Sequence, residues 1–220
     1  MKRLILVMVA ILLFTGIAIA EDEAMLHFIG HASIMLETLD GTVIYVDPSA
    51  DGDYSAPADI ILITHVHGDH NKPELCAQKE DCTVITWAEA LVDGVYNTFE
   101  VKGVIIQPVP AANKNHPIES SVGYVITFND IVFYHAGDTS MLESMSELSA
   151  LGIDYAMYPV DGQYNMGVDE AVVVAEMVKA KHSIPMHFFA EGEKVAEMQA
   201  AFTPEGYLYV NYGEGIKLEK

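Results

Sequence analysis

Ile60-Ile61-Leu62-Ile63-Thr64-His65-Val66-His67-Gly68-Asp69-His70 is the stretch from which the rest of the chain can be placed. Four consecutive apolar residues, three of them β-branched, read as a buried strand. Three histidines and a carboxylate leave its C-terminal end within six residues. His65 and His67 are two apart, so on extended backbone they project to one side and can hold a single metal ion. Asp69 and His70 fall where the chain turns and can reach a second ion beside the first. Neutral imidazole and carboxylate suit Zn²⁺ first, with Mn²⁺ or Fe as alternatives.

Outward from this segment the chain shows a faint internal repeat. Leu26–Glu37 and Val43–Val46 form a hairpin around Asp40-Gly41 that ends in Asp47-Pro48. Val122–Phe128 and Ile131–Tyr134 form another around Asn129-Asp130, ending in Gly137-Asp138-Thr139. Each precedes a further apolar strand, Ile60–Ile63 in the first half and Tyr155–Val160 in the second. Helical periodicity covers Pro73–Gln78, Ala88–Val92, Ser140–Leu148 after a Thr-Ser cap, Glu170–Ala180 after Asp169 as N-cap, and Lys194–Phe202.

The segment His65-Val66-His67-Gly68-Asp69-His70 matches H-x-H-x-D-H, and with Gly30-His31-Ala32-Ser33, Val46-Asp47-Pro48, His135-Ala136-Gly137-Asp138-Thr139 and Pro185-Met186-His187 it resembles the metallo-β-lactamase-fold hydrolases. Order and spacing look most like the branch containing ascorbate-6-phosphate lactonase and related metal-dependent hydrolases. The resemblance runs from about Met25 to the C-terminus. It implies an α/β, four-layer αββα sandwich with a two-metal site along the edge between two sheets. It makes His187 the histidine of the second metal, with Asp69 and His70, and Asp138 the carboxylate bridging both ions.

The third histidine of the first metal departs from the pattern. The slot expected after the Val104–Val109 strand falls near Ala111, which is no ligand. His116, in the following loop, is the candidate, and the Asn113 amide oxygen is its rival. His31 is directed toward the site by the resemblance, in direct or indirect contact with metal. His135 reads as structural, and Asp47 as orienting a ligand histidine through its other ring nitrogen. His27 and His182 carry no pattern. The implied reaction is hydrolysis by a hydroxide held between two divalent ions, with Asp69 orienting the nucleophile. His31 or Tyr164 is available to the leaving group, and a surface role for Tyr164 stays open.

Composition narrows the substrate. The formal charge is −21, and Arg3 is the only arginine. Met1-Lys2-Arg3, the apolar run Leu4–Ile19 and Ala18-Ile19-Ala20 form a secretory signal peptide over residues 1–20, an uncleaved anchor being the alternative. Cleavage leaves nine lysines against thirty-two acids, a charge of −23, on a single domain of residues 21–220 with no membrane segment. Nucleic acid needs a basic surface, and arginine is the preferred phosphate clamp. Nucleic acid is therefore disfavoured as a substrate, and with the resemblance the expectation is an exported hydrolase of a small-molecule ester, lactone or amide. A phosphodiesterase and a non-catalytic metal-binding protein are the rivals. Oligomeric state is open. Cys76 and Cys82, an even pair in an exported chain, suggest a disulfide, with two free buried thiols as the alternative.

Overall fold

The computed structural model describes residues 23–188 and 192–220. The expected signal peptide lies outside the described residues. Strands β1 (Met25–Gly30), β2 (Ser33–Glu37), β3 (Val43–Val46), β4 (Ala58–Leu62) and β5 (Gln78–Ile85) belong to a first sheet. The two-residue strands β6 (Leu91–Val92) and β7 (Val95–Tyr96) form a small hairpin. A second sheet takes β8 (Phe99–Val101), β9 (Val104–Pro110), β10 (Val122–Phe128), β11 (Ile131–His135), β12 (Tyr155–Pro159) and β13 (His182–Met186). A last strand, β14 (Glu214–Lys217), returns to the first. The orders are β14-β1-β2-β3-β4-β5 and β13-β12-β11-β10-β9-β8, six strands each.

Period-two alternation decides the packing. In β3 and β4, Ile44, Val46, Ile60 and Leu62 face the main core between the sheets. Their neighbours Val43, Tyr45 and Ile61, with Ile63 just past β4, face outward into a second cluster with Tyr54 and Cys76. Trp87 of helix α1 (Trp87–Ala90) closes that cluster. Helix α2 (Val168–Val178) packs on β12, and α3 (Glu193–Ala201) packs on α2. Two sheets face to face with helices outside give the expected four layers.

Strand direction is what positions the site. β1, β3, β4 and β5 run parallel in the first sheet, as do β9, β11, β12 and β13 in the second. Loops leaving the carboxyl ends of parallel strands gather at one edge, where α/β proteins place ligands.

Several local expectations are corrected. Pro73–Gln78 is not a helix: a 3₁₀ turn covers Pro73–Leu75, and the chain then enters β5. That strand is an exposed edge starting Gln78-Lys79-Glu80-Asp81, so it lacks the apolar run that marks a buried strand. The Ser140–Leu148 segment is a 3₁₀ run over Glu143–Leu151 without a side-chain cap. The Thr139 hydroxyl instead accepts from the Ala112 N–H at 3.1 Å, joining two site loops. Helix α2 starts two residues earlier than expected, with Gly167 as N-cap and Asp169 inside the first turn, where its charge favours the helix N-terminus. Cys76 and Cys82 are free thiols rather than a bridge, both packed with the outer cluster as small apolar side chains.

Gly137 carries the chain from β11 to Asp138 at φ +64. A Cβ there would sit 2.8 Å from the Val122 carbonyl and 3.1 Å from Thr64 Cβ. Gly137→Ala is expected to cost about 2 kcal/mol or more, lowering Tm by roughly 4–8 °C in calorimetry. An unchanged Tm would mean that the turn relaxes freely.

Candidate metal centre

Seven loops deliver the site's side chains, each from the carboxyl end of a parallel strand. His31 follows β1, Asp47 follows β3 and His65–His70 follow β4. In the second sheet His116 follows β9, Asp138 follows β11, Asp161 follows β12 and His187 follows β13. His31, Asp47 and His187 hold φ values of 53, 47 and 57, left-handed backbone that non-glycine residues adopt at a cost and that clusters at functional sites.

All the sequence candidates for metal binding come together. His65, His67 and His116 place ligand atoms within 4.8 Å of one another, as do His31, Asp69, His70 and His187, and as do His65, His70 and Asp138. Asp138 lies between the groups: its carboxylate is 3.4 Å from His70 Nε2, 3.3 Å from His116 Nε2 and 3.3 Å from His187 Nε2. His67 Nδ1 and His116 Nε2 are 3.1 Å apart. The Asn113 amide oxygen does not enter the site; it accepts from His116 Nδ1 at 2.8 Å and so holds its former rival in place.

The same atoms pass a test of fit for cations. His65 Nε2, His70 Nε2, His187 Nε2 and Asp138 Oδ1 are buried without a hydrogen-bond partner in the protein. Buried polar atoms left unpaired are costly, and here the orphaned lone pairs converge. The opposite ring nitrogens of His65 and His70 are hydrogen-bonded, and that of His187 faces a carboxylate at ion-pair distance. His70 Nδ1 meets Asp47 Oδ2 at 2.8 Å, His65 Nδ1 meets the Thr64 hydroxyl at 3.0 Å, and His187 Nδ1 meets Asp161 Oδ2 at 3.1 Å. The Thr64 hydroxyl donates to Asp47 Oδ2 at 2.6 Å and the Thr64 N–H to Oδ1 at 2.8 Å. Such outer contacts fix the tautomer, presenting Nε2 as the free lone pair.

Charges follow this arrangement. Burial would raise the Asp138 carboxyl, but His70 and His187 hold it well below the usual range. Burial pushes His65 down to about 3, and the charge on His70 adds to that effect. Burial opposes protonation of His187 too, yet Asp138 and Asp161 raise it to about 10. Asp69 is held low chiefly by its hydrogen bond with His31, whose Nε2 lies 3.5 Å from Oδ2.

The remaining candidates sit at the rim or in support. The His31 ring packs on His187 with centroids 3.7 Å apart. Tyr164, 40 % exposed, lines a cleft of about 400 Å³ with His67, Asp69, Asn115 and His187. His135 is structural as expected, its Nε2 donating to the Ala32 carbonyl at 2.9 Å. Asp161 carries no motif, but it repeats a readable signal: an apolar strand ending in Asp before Gly, as Asp47 ends one before Pro.

The beta-lactamase superfamily domain matches residues 25–187. A UPF0173 metal-dependent hydrolase of Thermococcus onnurineus is 34% identical over 187 residues, 73% of this chain and 83% of that one. One from Pyrococcus horikoshii is 31% identical over 188 residues with the same coverage. Among solved structures, a protein of Parabacteroides distasonis assigned as a metal-dependent hydrolase is 32% identical, with a TM-score of 0.71 over 84% of this chain and 92% of that one. A metallo hydrolase of Ignicoccus hospitalis, 20% identical with a TM-score of 0.69 over 90% and 99% of the two chains, shares the fold.

Metal binding must displace the proton on His187. With that group raised to about 10, affinity is expected to weaken about tenfold for each unit the pH falls between 8 and 6. Chelator competition with Zn²⁺ measures it, and a flat profile would show that no protonated ligand is displaced.

Proposed function

This chain belongs to the beta-lactamase superfamily of metal-dependent hydrolases, and we propose that it uses two divalent ions, zinc in the first instance, to hydrolyse a small ester, lactone or amide. The observation that carries two ions rather than one is Asp138, whose carboxylate contacts histidines of both ligand groups. The first ion would be held by His65, His67 and His116, and the second by Asp69, His70 and His187, with Asp138 shared. When bound, the ions supply Lewis acidity and lower the pKa of water at the site.

The chain's own groups do the rest. The low Asp69 carboxyl stays ionised across the physiological range and accepts a proton or hydrogen bond from the attacking water. Burial lowers the His31 imidazole, so it is neutral at pH 7 and can hydrogen-bond the leaving group from beside Asp69. Tyr164 faces the same cleft. That cleft has room for a small molecule, and no lysine or arginine lines it among the described residues. An uncharged acyl substrate needs nothing beyond the proposed ions, whereas a phosphodiester would find no lysine or arginine in this lining to clamp it. Export rests on the sequence of residues 1–20 alone; a secreted protein starting at Glu21 by N-terminal sequencing supports it, and an intact Met1 counts against cleavage.

Two measurements test the reading. Elemental analysis should find two ions per chain, and His116→Ala should bring that toward one with a fall in turnover. A panel of lactones, esters, amides and phosphodiesters, run with Zn²⁺, Mn²⁺ and Fe²⁺ separately, should show turnover on the acyl substrates. Asp69→Ala should abolish that turnover while the fold persists, because the carboxylate is exposed at the cleft rather than packed in the core. Full activity in a folded Asp69→Ala protein would refute its role, and turnover confined to phosphodiesters would overturn the substrate class.

A further inference from the structure

His116 and His187 stand on different loops and in different ligand groups, yet a single chain of polar contacts, three hydrogen bonds closed by an ion-pair contact at His187, joins their outer ring nitrogens. Asp161 Oδ2 lies 3.1 Å from His187 Nδ1 in an ion-pair contact and accepts from the Asn165 side-chain amide at 2.8 Å. Its other oxygen accepts the backbone N–H groups of Gln163 at 2.8 Å and Tyr164 at 2.6 Å, which fixes the carboxylate in place. The Asn165 amide oxygen accepts from Asn113 Nδ2 at 2.9 Å, and the Asn113 oxygen accepts from His116 Nδ1 at 2.8 Å. Asn165 is buried, and it touches neither histidine in this chain of contacts.

The direction of every bond is forced. An ionised carboxylate only accepts, so Asn165 must present its NH₂ to Asp161 and its oxygen to Asn113. Asn113 must then present its NH₂ to Asn165 and its oxygen to His116. The backbone N–H groups of Asn115 at 2.8 Å and His116 at 3.1 Å point at that same oxygen and independently require an acceptor there. His116 therefore carries its proton on Nδ1 and offers Nε2 to the site, as His187 does. One carboxylate sets the tautomer of a histidine on each side of Asp138.

We infer that Asn165 is a positioning residue whose amide, wedged between Asn113 and Asp161, orients His116 and His187 together and so supports both metal sites at once. The inference rests on the two-ion reading above for its effect on metal, but the hydrogen-bonded chain itself belongs to the protein without metal.

The test uses the full-length protein and Asn165→Ala and Asn165→Asp. In the metal-free protein, histidine ¹H–¹⁵N spectra should show the Nδ1–H signals of His116 and His187 shifting or exchanging faster in Asn165→Ala. Those of His65 and His70, held by Thr64 and Asp47, should stay in place. In Zn²⁺ titrations by chelator competition, Asn165→Ala should weaken both binding steps by about tenfold, the lower end for outer partners of metal ligands. Asn165→Asp keeps the acceptor for Asn113 and loses the donor to Asp161, so it should weaken one step more than the other. Unmoved Nδ1–H signals in folded variants would overturn the inference whatever the metal count. So would wild-type binding of two ions left unchanged by both substitutions. A wild type that binds one ion but shows the Nδ1–H shifts would instead leave the relay standing and remove the two-ion reading.

Discussion

The Asp138 carboxylate, 4 % exposed, is the charge around which the site is organised. A buried anion must be compensated. Here imidazoles from three loops approach it to within 3.4 Å, with their outer nitrogens already committed elsewhere. The metal-free protein meets the need with protons, raising His70 and His187. Cations would meet it by displacing those protons and engaging the freed lone pairs of several rings at once.

Placing that carboxylate at the sheet edge demands a backbone that turns sharply without losing contact. Gly137 supplies it, in a space walled by the Val122 carbonyl and Thr64. The Val122 N–H in turn donates to the Thr64 carbonyl at 3.0 Å, so the strand carrying the H-x-H-x-D-H segment is stitched directly to the second sheet beside the site. Site geometry and sheet packing are therefore one problem. A shift of Thr64 would move Asp47, His65 and His70 together, since all three bond to it or to one another.

How much of this was legible follows from where each signal resides. Interior strands such as β4 and β10 announce themselves because burial on both faces requires continuous apolar runs. Edge strands β5, β8 and β14 do not, being largely open to solvent and held by backbone pairing with one neighbour. The candidate ligands were readable because histidine and aspartate after a strand end have few other reasons to cluster. His116 could be proposed only as the available histidine in its loop, and the structure brings it beside His65 and His67. What fixes it, the Asn113 oxygen, was weighed as a competing ligand because a sequence gives the residue but not which way its amide faces. Asp161 repeated the strand-end signal of Asp47 but was not read from it, and Asn165 carried no signal, since its partner Asn113 lies roughly 50 residues away in the chain.

Support for the site divides by sheet. Asp47 and Thr64, on the first, hold His65 and His70; Asp161, Asn165 and Asn113, on the second, hold His187 and His116. Each proposed ion would nevertheless draw ligands from both, His65 and His67 with His116, and Asp69 and His70 with His187. The proposed ions would thus lie across the seam rather than inside either half. Backbone contact already spans that seam, where the His187 N–H donates to the His31 carbonyl at 2.8 Å. The main apolar core between the sheets holds the halves together along their length. Because that core does not depend on metal, the edge can hold its ligands slightly apart as preformed acceptors, which is the condition for binding ions without folding around them.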